Sequence, residues 1–204
     1  MIEHSMPQGS QEWYEIRLGK VTSSRIKKVF ASDNLKLVDE LIAERELRYS
    51  ETDDDYVNDD MQRGKDLEPL AADDYTKLKG IELDCVGFCV SDKYDWLGLS
   101  PDRFTKDRTG GLEIKSPRAK GHIKYIRQGG LPNDHKHQIY NYFLVNEKLE
   151  WLDFVSYCPQ WERKPLYIYR INRTDIAAEL IAIETELVKF HEKFIKYEKQ
   201  ILFA

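Results

Sequence analysis

Two carboxylates and an ammonium stand at strand-like spacing in the segments Ser100-Pro101-Asp102 and Gly111-Leu112-Glu113-Ile114-Lys115. Alternation along an extended chain puts Glu113 and Lys115 on one face and Ile114 on the other. A hairpin turn at KDRTGG joins the two segments, and pairing of the strands brings Asp102 beside Glu113. Carboxylates are hard oxygen ligands that suit Mg²⁺, which keeps waters and substrate oxygens in its other positions. Such an ion acidifies a bound water and neutralises the charge that builds on a phosphorane. Lys115 could orient that water or help deprotonate it. On its own, the same trio also describes a cross-strand ion pair on a solvated hairpin.

The flanking segments add weight. Around Trp13 the chain reads Trp13-Tyr14-Glu15-Ile16-Arg17-Leu18-Gly19-Lys20-Val21-Thr22-Ser23-Ser24. An arginine followed by hydroxyls at a helix start offers fork-shaped donors and backbone N–H groups to a phosphate. The plainer reading of that segment is an N-cap beside a surface arginine. Further on, Arg63-Gly64-Lys65-Asp66-Leu67-Glu68 puts Glu68 on a helix ahead of the strands, with Ala71 and Ala72 permitting close packing. Asp134-His135-Lys136-His137-Gln138 opens another helix after the Glu-x-Lys strand. With oxygen ligands already supplied, its histidines are expected at the surface or in packing roles.

Helices are expected over residues 11–18, from 22–24 to about 30, and over 36–49, 60–79, 119–129 and 134–145. Strands are expected over 83–90, 96–100, 112–116, 151–157 and 166–171. A long amphipathic helix, 174–200, closes the chain. Helices at both ends and strands between them predict one α/β domain with a mixed sheet.

The 204 residues carry 31 basic and 36 acidic side chains, a net charge of −5, with 41% hydrophobic residues and 12% aromatic. That composition supports a real core and excludes global disorder. The acidic excess is local. Residues 51–60, ETDDDYVNDD, hold six acids and no base, and the rest of the chain carries +1. Bases gather over 17–28 and over 103–127, which is compatible with one phosphate-facing surface. The acidic stretch is expected to lie away from that surface. No apolar run is long enough for a bilayer, and the N-terminal residues lack the pattern of a secretion signal. Cys85, Cys89 and Cys158 are too few for a four-thiolate cluster and are expected in the core.

Four motifs occur here in order: W-x-x-x-R-L-G-x-V-T-x-S from Trp13, R-G-K-x-x-E ending at Glu68, S-P-D…E-x-K over 100–115, and a helical Gln138. Over residues 11–142 the chain resembles the lambda-exonuclease-like alkaline exonucleases of the YqaJ viral recombinase family, within the PD-(D/E)xK nuclease superfamily. That resemblance implies a restriction-endonuclease-like core: a central mixed β-sheet flanked by helices, with a long C-terminal helix. It also implies a Mg²⁺-dependent 5′→3′ double-strand DNA exonuclease, with Mn²⁺ substituting and two ions bound. Such an enzyme degrades one strand from a 5′-phosphorylated end to mononucleotides and leaves a 3′ tail for phage-type recombination by strand annealing.

By the same resemblance, Asp102, Glu113 and the main-chain carbonyl of Ile114 hold metal, and Lys115 is the catalytic lysine. Glu68 serves a second metal or its water, and Gln138 positions water or substrate. Arg17, Ser24 and Ser100, with Thr22 beside them, form the 5′-phosphate pocket. The expected partners are double-stranded DNA ends, a single-strand annealing recombinase and two further copies in a homotrimeric ring, with no membrane. The expected setting is the cytoplasm of a bacterial host, from a phage or prophage. Alternatives are a different nuclease on the same core, either a structure-specific endonuclease or a cluster-bearing enzyme that the cysteine count disfavours. A third is a non-catalytic DNA-binding protein with a nuclease-like core.

Overall fold

The strand that carries Glu113 and Lys115 lies between two others and organises what surrounds it. A computed structural model describes residues 1–50 and 59–203. In chain order come β1 (Ile2–His4), α1 (Gln11–Arg17), β2 (Val21–Thr22), α2 (Ile26–Val29), α3 (Leu35–Leu47) and α4 (Asp59–Lys79). Then follow β3 (Leu83–Asp84), β4 (Phe88–Val90), β5 (Leu97–Leu99), β6 (Arg103–Thr105), β7 (Gly110–Lys115) and α5 (Ala119–Gln128). Last are α6 (Lys136–Val145), β8 (Trp151–Tyr157), β9 (Leu166–Asn172) and α7 (Ala177–Leu202). A 3₁₀ turn precedes each of α6 and α7. The expected α/β class, with mixed pairing, flanking helices and a long closing helix, is the observed one, but two sheets stand where one central sheet is expected.

The strands divide between two mixed sheets, ordered β1-β4-β5-β2 and β3-β6-β7-β8-β9. Residues 83–90 therefore form two strands instead of one. The break is at Gly87, where a Cβ would lie 1.9 Å from the Met6 carbonyl oxygen. Beyond it β4 pairs with β1, whereas β3 pairs with β6 in the other sheet. Cys85 lies in this break and is exposed, against expectation; Cys89 and Cys158 are buried as expected.

The hairpin partner of β7 also differs from the expected one. The strand ending near Ser100, β5, pairs with β4 and β2. It is β6 that pairs with β7, with Arg103 opposite Leu112 and Phe104 opposite Gly111. A three-residue strand begun by a charge gives little periodicity to read. The chain crosses between sheets at residues 100–102, so Asp102 stands at the crossing, one residue before β6.

On its other side β7 runs parallel to β8, from Gly110↔Trp151 to Lys115↔Ser156. Leu112 and Ile114 face α4, packing with Ala71, Ala72, Tyr75, Val155 and Tyr157. Each fully buried aliphatic there contributes roughly 1.5–3 kcal/mol. The two alanines let α4 approach the sheet closely, and the Tyr75 hydroxyl donates to Asp153 Oδ2 at 2.6 Å. Asp153 in turn accepts from Arg170 Nε and Nη2 at 2.7 and 2.9 Å, so this buried carboxylate is paired as well as bonded. Glu113, on the opposite face of β7, meets α6.

Among the described residues no helix is long and apolar enough to cross a membrane. Replacing Gly87 by alanine would force a Cβ against backbone that cannot yield. Thermal denaturation should show Gly87→Ala destabilised by about 1–3 kcal/mol.

Candidate active site

Asp102 and Glu113 are drawn together by hydrogen bonds from two elements, β7 and α6. Asp102 Oδ2 accepts from the Ile114 backbone N–H at 2.6 Å. Glu113 is only 1% exposed. Its Oε1 meets Lys115 Nζ at 2.5 Å and Gln138 Nε2 at 2.6 Å. Its Oε2 accepts from the Tyr142 hydroxyl at 2.7 Å, and that hydroxyl accepts in turn from the Asp102 backbone N–H at 3.1 Å. The alternation expected for β7 is thus observed: Glu113 and Lys115 share a face, and Ile114 is buried on the other.

Burial, followed by the charges of Glu113 and Glu68, raises the Asp102 pKa well above its ordinary value, against the pull of Lys115 and the Ile114 N–H. For Lys115, burial disfavours the charged form, but Glu113 and Asp102 outweigh it and the pKa rises. In this arrangement Lys115 is an ammonium, suited to orienting a water or a phosphate oxygen. Burial and the two carboxylates raise the Tyr142 pKa as well, so the phenol remains a donor.

Repelling, desolvated carboxylates call for a cation, and their oxygens suit Mg²⁺ or Mn²⁺. The N–H and C=O of one strand residue face the same neighbour, so the Ile114 carbonyl is directed to the edge where Asp102 lies. Among the described residues no group of three or more His, Cys, Asp or Glu is gathered closely enough to hold an ion. Mg²⁺ binds through one or two carboxylates, with substrate and water completing its shell. The donor set fits that ion and does not resemble a closed zinc site.

Helix α4 brings in Glu68, whose Oε1 accepts from Arg103 Nη1 at 2.7 Å. Arg103 also donates to the Asp102 carbonyl. Asp102, Glu68 and Lys65 lie between two clefts. One, of about 720 Å³, runs past Lys115, Ser116, Arg118 and Tyr125. The other, of about 610 Å³, is lined by Pro7, Trp13, Tyr14, Val86 and Arg103. Of the histidines, His137 stacks on Phe30 and His135 on Phe154, the packing roles expected. Burial, with the Lys115 charge next, lowers the His135 pKa.

The residues expected to hold a 5′-phosphate fall in two linked groups. The Arg17 guanidinium lies 3.7 Å over the Trp13 ring, and Trp13 Nε1 donates to Ser100 Oγ at 3.0 Å. Thr22 and Ser24 share a hydrogen bond of 3.1 Å between hydroxyls. The parallel register of Thr22 with Gly98 carries the chain after β2 along the chain that leads to Ser100. Thr22 itself is 3% exposed, so its hydroxyl supports Ser24. The expected hydroxyl cap is not made: α2 has four residues, begins after Arg25 and has no side-chain cap. Ser23 instead accepts from Asn141 Nδ2 at 2.8 Å.

The acidic stretch departs from its expected place where it can be seen. Residues 51–58 lie outside the described residues. Asp60 pairs with Arg118 at 2.9 Å and lines the cleft beside Lys115. The reason is geometric: α4 must deliver Glu68 to Asp102, and at 1.5 Å per residue its first turn starts only about 12 Å upstream.

Sequence reading missed Tyr142 and Arg103. The signal for Tyr142 was its position four residues after Gln138, on the same helix face. Arg103 adjoins Asp102 but had no pattern to mark it.

A family model of the YqaJ-like viral recombinase domain matches residues 12–148, a span that holds all of these site residues. Among solved structures, the chain is similar to an alkaline exonuclease, LHK-Exo, from Laribacter hongkongensis. The two are 32% identical with a TM-score of 0.84, over 94% of this chain and 96% of that one. The structure of LHK-Exo in complex with dAMP matches at 33% identity and TM-score 0.83, with the same coverage. A phage related exonuclease from Haemophilus somnus 129PT shares the fold, at 15% identity and TM-score 0.55, over 97% and 96% of the two chains. No curated protein matches the sequence.

Folding raises the Asp102 pKa. Stability that is intact below the ordinary aspartate range is therefore lost as pH rises through the folded value. In metal-free buffer, Asp102→Asn should melt at a higher temperature than the parent near pH 8, and the difference should shrink toward pH 4. Thermal denaturation across that range checks it.

Proposed function

Because the chain belongs to the family of the YqaJ-like viral recombinase domain, we propose that it is a Mg²⁺-dependent 5′→3′ double-strand DNA exonuclease. The observation that carries this reading is the gathering of Asp102, Glu113 and Lys115 on one edge of β7, at a cleft lined by Lys115, Arg118 and Tyr125. LHK-Exo, similar over nearly its whole length, is an alkaline exonuclease whose structure includes a complex with dAMP. A deoxynucleoside monophosphate is the product that strand degradation would release here.

Asp102, Glu113 and the Ile114 carbonyl would hold one ion, and Glu68 a second ion or its water once it parts from Arg103. Mn²⁺ would substitute. When bound, Mg²⁺ would polarise the scissile phosphate and make a water acidic enough to attack near neutral pH. Lys115 orients that water against the phosphorus, and Gln138 fixes the Glu113 oxygen nearest to it. Attack breaks the P–O3′ bond. The terminal nucleotide leaves with a 3′-hydroxyl, and the next one keeps a 5′-phosphate. Arg17, Ser24 and Ser100, with Thr22 behind them, would hold that phosphate, and every turnover regenerates it.

One strand is thus consumed to mononucleotides, and the other is left as a 3′ tail. The tail suits a single-strand annealing recombinase in phage-type recombination. A homotrimeric ring around the duplex would keep the enzyme on its track. The negative net charge does not oppose this, because fields follow local arrangement. Lys120, Lys124 and Arg127 of α5 are exposed beyond the Lys115 cleft.

Lys115→Ala should slow digestion of linear duplex by roughly 10²-fold or more while leaving binding to duplex ends in Ca²⁺ little changed. Wild-type protein should digest 5′-phosphorylated blunt duplex faster than the dephosphorylated form. Equal rates would remove the phosphate pocket from the account.

A further inference from the structure

Tyr142 has no motif position, yet its single hydroxyl spans the two carboxylate-bearing segments. It donates to Glu113 Oε2 at 2.7 Å and accepts from the Asp102 backbone N–H at 3.1 Å. The side chain is fully buried, with its ring edge-on to Phe104 at 6.0 Å and 76°. The other donors on Glu113, Lys115 and Gln138, sit on long flexible stems and both meet Oε1. A phenol on a packed ring cannot swing in that way. It fixes where Oε2 points, and it ties the 100–102 crossing to β7. Oε1 is left to Lys115 and Gln138.

We propose that Tyr142 is a positioning residue that sets the spacing of Asp102 and Glu113 for the divalent ion. The inference rests on the metal-dependent reading given above. Tyr142 touches neither ion nor DNA; it acts through Glu113 and the Asp102 backbone, as outer-shell partners of metal ligands do.

The test compares the full chain with Tyr142→Phe, which keeps the ring and removes the hydroxyl, and with Phe104→Leu, which loosens the ring and keeps the hydroxyl. Calorimetric titration with Mn²⁺ alone should show about tenfold weaker binding for Tyr142→Phe and no comparable change for Phe104→Leu. In digestion assays, half-saturating Mg²⁺ should rise by a similar factor for Tyr142→Phe. KM for duplex ends should stay the same, and high Mg²⁺ should restore kcat.

Unchanged Mn²⁺ affinity in Tyr142→Phe would overturn the proposal, as would equal weakening in Phe104→Leu. So would loss of the folded circular dichroism spectrum in Tyr142→Phe, which would make the hydroxyl a structural tie. Absence of Mn²⁺ binding by the wild-type chain would instead overturn the metal-dependent reading beneath it.

Discussion

Asp102 and Glu113 place two carboxylates below the surface and within reach of each other's charge, with Glu68 close enough to add to the repulsion. Desolvating ionised groups costs several kcal/mol each even after relaxation. The surrounding structure answers that cost with donors and opposite charge. Lys115 and Gln138 meet one oxygen of Glu113, and Tyr142 meets the other. The Ile114 N–H meets Asp102, and Arg103 meets Glu68. Most of the fold can be understood as the frame that holds these donors. Strand β7 is clamped between β6 and β8. Helix α4 is seated by two alanines and by the tie from Tyr75 to Asp153. Helix α6 presents Gln138 and Tyr142 one turn apart.

Under the proposed function, the same arrangement would reconcile an acidic chain with a DNA substrate. The neutralising side chains at the site are already engaged by carboxylates. Capacity for phosphate would then lie further out, on Arg17, on the exposed bases of α5 and in the clefts beside Asp102. Asp60 stands at the rim of one cleft, paired with exposed Arg118. Such an exposed pair contributes little to stability, so under the proposed function a phosphate would displace Asp60 at small cost.

Much of the site was legible in the sequence because strand alternation and helix periodicity are local. Glu113 and Lys115 share a face for no reason beyond their spacing, and residues 151–157 formed a strand with the expected bounds. Helix α4 persists through Pro69 because its apolar face is seated on β7. What could not be read was long-range. Gly87 looked like part of one apolar run, until the Met6 carbonyl is seen to lie where its Cβ would be. The crossing at 100–102 made β6 the partner of β7, with β5 left to the other sheet. The hydroxyls of 22–24 look like caps, but Asn141 and Ser24 take them first. Tyr142 reads as one more core aromatic until both ends of its hydroxyl are traced.

The central claim is that Asp102 and Glu113 serve metal-dependent removal of nucleotides from a 5′ end. The most direct measurement follows linear duplex labelled at the 5′ or the 3′ end of one strand, digested in Mg²⁺ and in chelator. The account predicts early release of the 5′ label as a mononucleotide, a 3′ label that stays on a shortening strand, and no reaction in chelator. Internal fragments from covalently closed circles, or intact duplex in both Mg²⁺ and Mn²⁺, would contradict it.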